Sequence, residues 1–226
     1  MSARDDLKNE IVKKAVVHGK VILSSGKEAD YYVDLRRVTL DHVAAPLVGE
    51  VMLDLTKDLE FDAVGGLTLG ADPVATAMMH VAASKGRALD SVAAPLVGEV
   101  MLELTKDLDY EAVGGLTLGA DPVATAMMHV AGQNGRKLDS FVVRKAEKAH
   151  GLQRRIEGPD VKGKKVLAVE DTSTTGGSVL TAVEALKEAG AIVVAVAVIV
   201  ERGAAPKIKE AGLEYRAAYQ LSDLGL

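Results

Sequence analysis

The feature that most limits what this chain can fold into is a long internal repeat. Val43 to Ser91 and Val92 to Ser140 align without a gap and differ at eight of 49 positions. Those positions are Asp54/Glu103, Glu60/Asp109, Phe61/Tyr110, Asp62/Glu111, Ala83/Gly132, Ser84/Gln133, Lys85/Asn134 and Ala88/Lys137. Solenoids stack three or more units between capping ends, whereas here two units are followed by unrelated sequence. The pattern reads as a tandem duplication inside an ordinary domain. Leaving one copy out of the 226 residues leaves 177, so residues 1–226 are expected to form a single domain with copies at 43–91 and 92–140.

Periodicity supplies the elements. Leu7, Ile11, Val12 and Ala15 fall on one face of an N-terminal helix that ends before His18-Gly19. A small β excursion follows over Val21 to Asp34, with Ser24-Ser25-Gly26 as a turn and Tyr31-Tyr32-Val33 as strand-like residues. Each copy then reads as helix, strand, helix. The first helix carries Leu47, Val48, Val51, Met52 and Leu55 on one face, and the strand is Ala63 to Leu67. The second helix has Asp72-Pro73 as N-cap and first-turn proline and Gly86 as its stop. After copy two come strands at Phe141 to Val143 and Lys165 to Val169, and a helix with Val179, Val183 and Leu186 aligned and Gly190 at its end. Ala191 to Val200 is evenly apolar, as a strand covered on both faces must be. Strands alternating with helices predict an α/β fold with a mostly parallel central sheet. Copy two is favoured for the sheet because it leads directly into Phe141 to Val143 and keeps that right-handed crossover local; a hybrid taking the first helix from copy one and the strand and second helix from copy two is the other arrangement open to the chain.

Composition removes several classes of function. With no cysteine, a disulfide framework, a thiolate metal site and a cysteine nucleophile are excluded, which fits a reducing compartment. The charged start MSARDDLKNE does not read as a signal peptide, and the longest apolar run is far below the roughly 20 residues of a membrane span. A cytoplasmic protein without a membrane partner is expected. The net charge of −5 conceals an asymmetry: Arg144 to Lys165 holds eight Lys/Arg against three acids, a local +5 on a body of −10. With only 3% aromatics to stack bases, this segment reads as a site for a small polyanion rather than for nucleic acid.

The densest chemistry lies at Val166-Leu167-Ala168-Val169-Glu170-Asp171-Thr172-Ser173-Thr174-Thr175-Gly176-Gly177-Ser178. An apolar strand ends in two acids, and a loop of hydroxyl and glycine residues feeds a helix. Backbone N–H groups of such a loop converge on a phosphate at the positive end of the helix. The acids would repel that phosphate unless they face sugar hydroxyls or a cation. Each Gly-Lys pair (19–20, 26–27, 163–164) lacks the Ser or Thr of a P-loop, and no GxGxxG is present. His18, His42, His80 and His129 read as ordinary helix residues, and Met78-Met79 and Met127-Met128 as core filler.

These residues resemble a family. VEDTSTTGGS is similar to the phosphoribosyl pyrophosphate (PRPP) motif of the type I phosphoribosyltransferases. Phe141 to Gly151 (FVVRKAEKAHG) resembles the mobile catalytic loop of the orotate phosphoribosyltransferases, and Ser25-Gly26 with Tyr31-Tyr32 resembles their N-terminal substrate hood. The resemblance implies the type I fold: a mostly parallel sheet flanked by helices, a small hood, and here an extra helix-strand-helix unit. It further implies transfer of the 5-phosphoribosyl group from PRPP to orotate with Mg²⁺, in a homodimer sharing active-site loops. By matching position, Glu170 and Asp171 hold the ribose hydroxyls, and Thr172, Ser173, Thr174, Thr175, Gly176, Gly177 and Ser178 cradle the 5′-phosphate. Thr174, Arg202 and Tyr32 face orotate. Arg144, Lys145, Lys148 and His150 close over the pyrophosphate, and Lys148 and His150 join the two acids as catalytic groups. Gly66 to Pro73, or its double Gly115 to Pro122, matches the pyrophosphate loop. Mg²⁺ is bound mainly through PRPP. The chain departs from many relatives in having Ser24, and Gly70 or Gly119, where they have lysine.

Two other readings stand beside the enzyme: a PRPP- or nucleotide-binding regulator, and a duplicated scaffold without activity. The Lys148/His150 loop argues against the regulator. Groups that oppose charge developing on a leaving pyrophosphate are worth roughly 10²- to 10³-fold each in rate. Lys148→Ala is therefore expected to lower kcat by at least about tenfold with an unchanged circular dichroism spectrum; unchanged turnover would remove Lys148 from the chemistry.

Overall fold

The computed structural model describes residues 2–22, 28–66, 70–87, 89, 93–145 and 155–226. Helix α1 (Ala3–Glu10) opens on a capping box in which the Ser2 hydroxyl accepts from the Asp5 N–H, and it widens into a π turn at Ile11–Ala15. Leu7, Ile11 and Ala15 face a small core with Val38, Ala44 and Val48, while Val12 points to solvent, off the face its spacing predicts. Strands β1 (Val16–Ile22) and β2 (Glu28–Val33) form an antiparallel two-stranded sheet that begins five residues before the predicted β excursion, so that His18, expected at a helix end, is a strand residue paired with Tyr31. Helix α2 (Arg36–Thr39) leads from it to copy one.

Copy one contributes α3 (Ala44–Leu55) and α4 (Ala71–Ser84), and copy two contributes α5 (Ala93–Leu104), β3 (Ala112–Leu116) and α6 (Ala120–Gln133). After them come β4 (Asp139–Val143), β5 (Ile156–Glu157), β6 (Lys165–Ser173), α7 (Gly177–Glu188), β7 (Ile192–Glu201), α8 (Ala205–Glu210) and β8 (Tyr215–Gln220). The main sheet has the order β5-β4-β3-β6-β7-β8 and is parallel except for the β4–β5 pair. Its two faces carry separate cores. On one, Val166, Ala168, Val196 and Val198 pack under α7 and α8; on the other, Val113, Leu167, Val169 and Ala195 pack under α5 and α6. Alternation along buried strands sends successive side chains to opposite layers.

The two copies have the same Ala-Val-Gly-Gly-Leu segment and use it differently. Ala112–Leu116 is buried between β4 and β6. Residues 63–66 of copy one are irregular and pair with no strand, which corrects the expected strand at Ala63 to Leu67; Leu67 lies outside the described residues. The extra unit is thus a pair of helices. Those helices nonetheless pack alike in both copies. A Cβ on Gly49 would stand 2.4 Å from the Ala77 carbonyl oxygen, and one on Gly98 would stand 2.7 Å from that of Ala126, so a glycine brings each pair into close contact. Arg87 lies 4.4 Å from the Phe61 ring centroid, and Arg136 lies 4.2 Å from that of Tyr110.

Two details of the predicted helices change. Leu55 is exposed, and α3 buries Ala44, Ala45, Val48 and Gly49, because its partner is the small-residue face of α4. Asp72 is a first-turn residue and not the N-cap, which is Gly70. The predicted helix stops do fall at left-handed glycines, Gly86, Gly135 and Gly190. Among the described residues, no helix is long and apolar enough to cross a membrane.

Candidate functional site

The C-terminal edge of the parallel strands is where open α/β sheets place their ligands. Here β3, β4, β6 and β7 all end at this edge, and hydrogen bonds hold the ends together. The Thr117 N–H donates to the Val143 carbonyl at 3.0 Å, and the Arg202 N–H donates to the Ser173 carbonyl at 2.9 Å. Strand β6 runs through the acids to Ser173, longer than its apolar stretch predicts, because β7 pairs with it as far as Glu201.

Glu170 is buried at 6% exposure, while Asp171 is exposed. The loop after β3 comes close to both: a Cβ on Gly119 would stand 2.3 Å from Glu170 Oε1 and 2.6 Å from Asp171 Oδ1. Any side chain at this position, the lysine the resemblance implies included, would have to displace the acids. Asp121, in the first turn of α6, is also buried, and neither of its carboxylate oxygens accepts a hydrogen bond among the described residues. Burial pushes the Glu170 carboxyl up to about 8 despite a bond from the Asp171 N–H, and the charges of Asp171 and Asp121 act in the same direction. Burial likewise raises Asp121 to about 7, helped by Asp72. Among the described residues no cation pairs with Glu170, so burial and the neighbouring acid charges act on it unopposed.

Beyond the acids, Thr172, Thr174, Thr175 and Ser178 are exposed, while Ser173 and Gly176 are buried. Ser173 belongs to the strand, so the exposed cradle is shorter than the motif. Gly176 takes φ +73° and opens α7 with no side chain of its own to cap it; the Gly177 N–H donates to Thr175 Oγ1 at 3.4 Å, at the positive end of the helix. Arg202 is exposed at the end of β7, and the turn that carries it is fixed by Glu201. Glu201 Oε1 accepts from the N–H of Gly203 at 2.6 Å and of Ala205 at 3.2 Å, and Tyr215 donates its hydroxyl to Oε2. Burial works against the Glu201 charge, but these bonds prevail and hold its carboxyl below the usual range.

The cationic residues divide. Arg144 leaves β4 at the site edge with its guanidinium 3.6 Å from buried Glu157, which also pairs with Arg36 at 3.1 Å. Arg36 in turn donates to the Tyr32 hydroxyl at 3.5 Å. Tyr32 and Arg144 are thereby linked through one buried carboxylate. Lys145 is exposed. Lys148 and His150 lie outside the described residues, as do Ser24, Ser25 and Gly26. Arg155, Lys164 and Lys165 are engaged with Glu188, Asp139 and Asp109, so the end of the +5 segment is partly neutralised by the body. A cavity of about 350 Å³ beside Arg155, Pro159 and Glu188 includes none of the site groups.

Sequence reasoning placed Asp121 only within the Gly115 to Pro122 loop, without a role, and missed Glu157 with Arg36 and Glu201 with Tyr215. The acid at the start of α6 could have been found as a charged residue inside an apolar helix face. The other two pairs join residues far apart in sequence.

An acid-bearing strand, a left-handed glycine and an uncapped helix at the edge of a parallel sheet are the parts of a phosphoribosyl-binding α/β domain, and residues 112–214 match the phosphoribosyl transferase domain family. The orotate phosphoribosyltransferase of Streptomyces avermitilis is 56% identical over 226 residues, covering 99% of this chain and 97% of that protein. That of Corynebacterium glutamicum strain R is 48% identical, covering 100% and 96%. Among solved structures, Mycobacterium tuberculosis orotate phosphoribosyltransferase in complex with PRPP is 41% identical with a TM-score of 0.51, covering all of both chains. The same enzyme with inorganic phosphate is 43% identical with a TM-score of 0.54, covering 99% of each. The chain belongs to the orotate phosphoribosyltransferase family.

The raised carboxyl groups set a pH dependence. Protons held by folded Glu170 and Asp121 are lost in the unfolded state, so stability falls as pH rises through about 7 to 8. Buried His80 and His129, depressed to about 4 and about 3, act below pH 6.5 and in the opposite direction. Between pH 6.5 and 8 the substrate-free chain is expected to lose up to about 1.4 kcal/mol per pH unit for each acid, and Glu170→Gln to flatten the slope. Denaturant titrations at stepped pH measure this; an identical slope in the variant would contradict the burial of that charge.

Proposed function

We propose that the chain transfers the 5-phosphoribosyl group of PRPP to orotate, giving orotidine 5′-monophosphate and pyrophosphate in pyrimidine biosynthesis. The observation that carries this reading is the placement of Glu170 and Asp171 beside Gly119 and the α7 start, in a chain alignable over its whole length with a PRPP-bound orotate phosphoribosyltransferase. Glu170 and Asp171 accept hydrogen bonds from the ribose 2′- and 3′-hydroxyls. The N–H groups at the start of α7, with Thr172, Thr174, Thr175 and Ser178, bind the 5′-phosphate. Arg202 pairs with the orotate carboxylate through a planar guanidinium suited to bidentate contact, with Thr174 and Tyr32 beside the base.

The bond that breaks joins the anomeric carbon to pyrophosphate. Positive charge develops on the sugar while negative charge builds on the leaving group. The acids favour the first, and Arg144, Lys145, Lys148 and His150 oppose the second. Residues 144–151 have the composition of a lid that excludes water from the reactive sugar. Glu170 and Asp171, neighbours on β6 that both approach Gly119, offer the oxygen donors a hard divalent cation takes. Mg²⁺ would be held mainly through PRPP, with Glu170 and Asp171 orienting the ribose beside it. When bound, Mg²⁺ supplies charge neutralisation at the pyrophosphate.

The full chain is expected to consume orotate only when PRPP and Mg²⁺ are both present, followed by orotate absorbance. A folded chain with no consumption would support the inactive scaffold instead. Asp171→Asn is expected to weaken PRPP by about tenfold, the loss of a charged hydrogen-bond acceptor, and orotate by less. Calorimetry showing the larger loss for orotate would overturn the assignment.

A further inference from the structure

His80 and His129 are the same residue of the two copies, and they meet. Their rings stack with centroids 4.7 Å apart and planes 17° from parallel, and both side chains are buried. His80 Nδ1 and Nε2 and His129 Nε2 have no hydrogen-bond partner among the described residues, so ring stacking and burial make up the contact. Eight residues earlier on each helix stand Asp72 and Asp121, again equivalent, and the charge of one acts on the other. Helices α4 and α6 therefore lie side by side in the same sense, first turns together and later turns together. A residue that touches its own counterpart is the mark of an isologous, two-fold contact, where one surface patch serves both sides.

Each side also brings its own backing helix. Gly49 of α3 fits against Ala77 of α4 as Gly98 of α5 fits against Ala126 of α6. Two copies of one helix pair thus face each other within a single chain. The symmetry is local: α5 rests on β7 and β8 of the main sheet, and α3 rests on the N-terminal helix.

We infer that α4 occupies on α6 the seat that α6 of a second chain would take, so that copy one is a built-in partner closing this face within one molecule. A homodimer of the duplicated chain, which the family resemblance implies, has no place left at this surface. A chain without copy one exposes the α6 face, and a second copy of the chain is the partner that fits it.

Ser84 and Gln133, equivalent residues that are both exposed, line one cavity of about 260 Å³ with the stacked histidines, and the chain has no cysteine of its own. Thiols placed there report the contact directly. With a short bis-maleimide, Ser84→Cys/Gln133→Cys in the full chain is expected to give an intrachain link at monomer mass. Gln133→Cys alone in the full chain is expected to give no covalent dimer, even if chains associate through another face. Gln133→Cys in the chain lacking Val43 to Ser91, once circular dichroism shows it folded, is expected to give a covalent dimer. A covalent dimer from the single full-chain variant, no intrachain link in the double variant, or a folded shortened chain that stays monomeric and unlinked would each overturn the inference. If the shortened chain does not fold, the two full-chain results decide.

Discussion

A sheet strand can pair on two sides only, and the gap between β4 and β6 holds one strand. The rest of the structure depends on which copy fills it. The slot is narrow as well as single: a Cβ on Gly114 would stand 2.1 Å from the Phe141 carbonyl oxygen, and one on Gly115 would stand 2.1 Å from that of Val169. Copy two runs from β3 through α6 and the Gly135 turn straight into β4, so its crossover is short and local. Copy one could enter only by enclosing 49 more residues and displacing an identical competitor, which adds loop-closure entropy for no added contact. Its strand segment therefore stays unpaired, while its helices keep the packing that their own glycines and arginines specify.

The same choice builds the site. With β3 in the slot, Gly119 is carried to Glu170 and Asp171, and Asp121 turns into the same space. Burial and the charges of Asp171 and Asp121 then act together on Glu170, an arrangement that lowers the stability of the empty protein and that sugar hydroxyls would relieve. The surrounding residues hold this edge in place. Glu201 secures the turn bearing Arg202, and Glu157 joins Arg36 and Arg144, so that the hood and the root of the predicted lid share one buried anion.

Much of this was legible from the residues. The β6 acids, the glycine opening of α7, the evenly apolar β7 and the helix stops at Gly86, Gly135 and Gly190 each depend on local chemistry. What was not legible depends on context. Residues 63–66 and 112–115 are the same four residues, and no propensity can separate a strand from a coil in identical sequence; only the occupied slot does. Leu55 turns outward because the face of α3 is set by Gly49 meeting α4. Lys164 and Lys165 read as part of an anion site, but the acids that pair with them, Asp139 and Asp109, come from copy two. The His80–His129 stack combines residues that are unremarkable singly and matter because the repeat brings them together.

The central claim is that copy two, and not copy one, supplies the central strand, and equivalent glycines test it most directly. Gly65 is exposed with nothing near its virtual Cβ, whereas Gly114 is buried against Phe141. In urea titrations Gly114→Ala is expected to lower stability by about 1–3 kcal/mol, the usual cost of forcing an extra carbon into a packed core. Gly65→Ala is expected to leave it unchanged or raise it slightly. A larger loss for Gly65→Ala, or equal losses for both, would contradict the account.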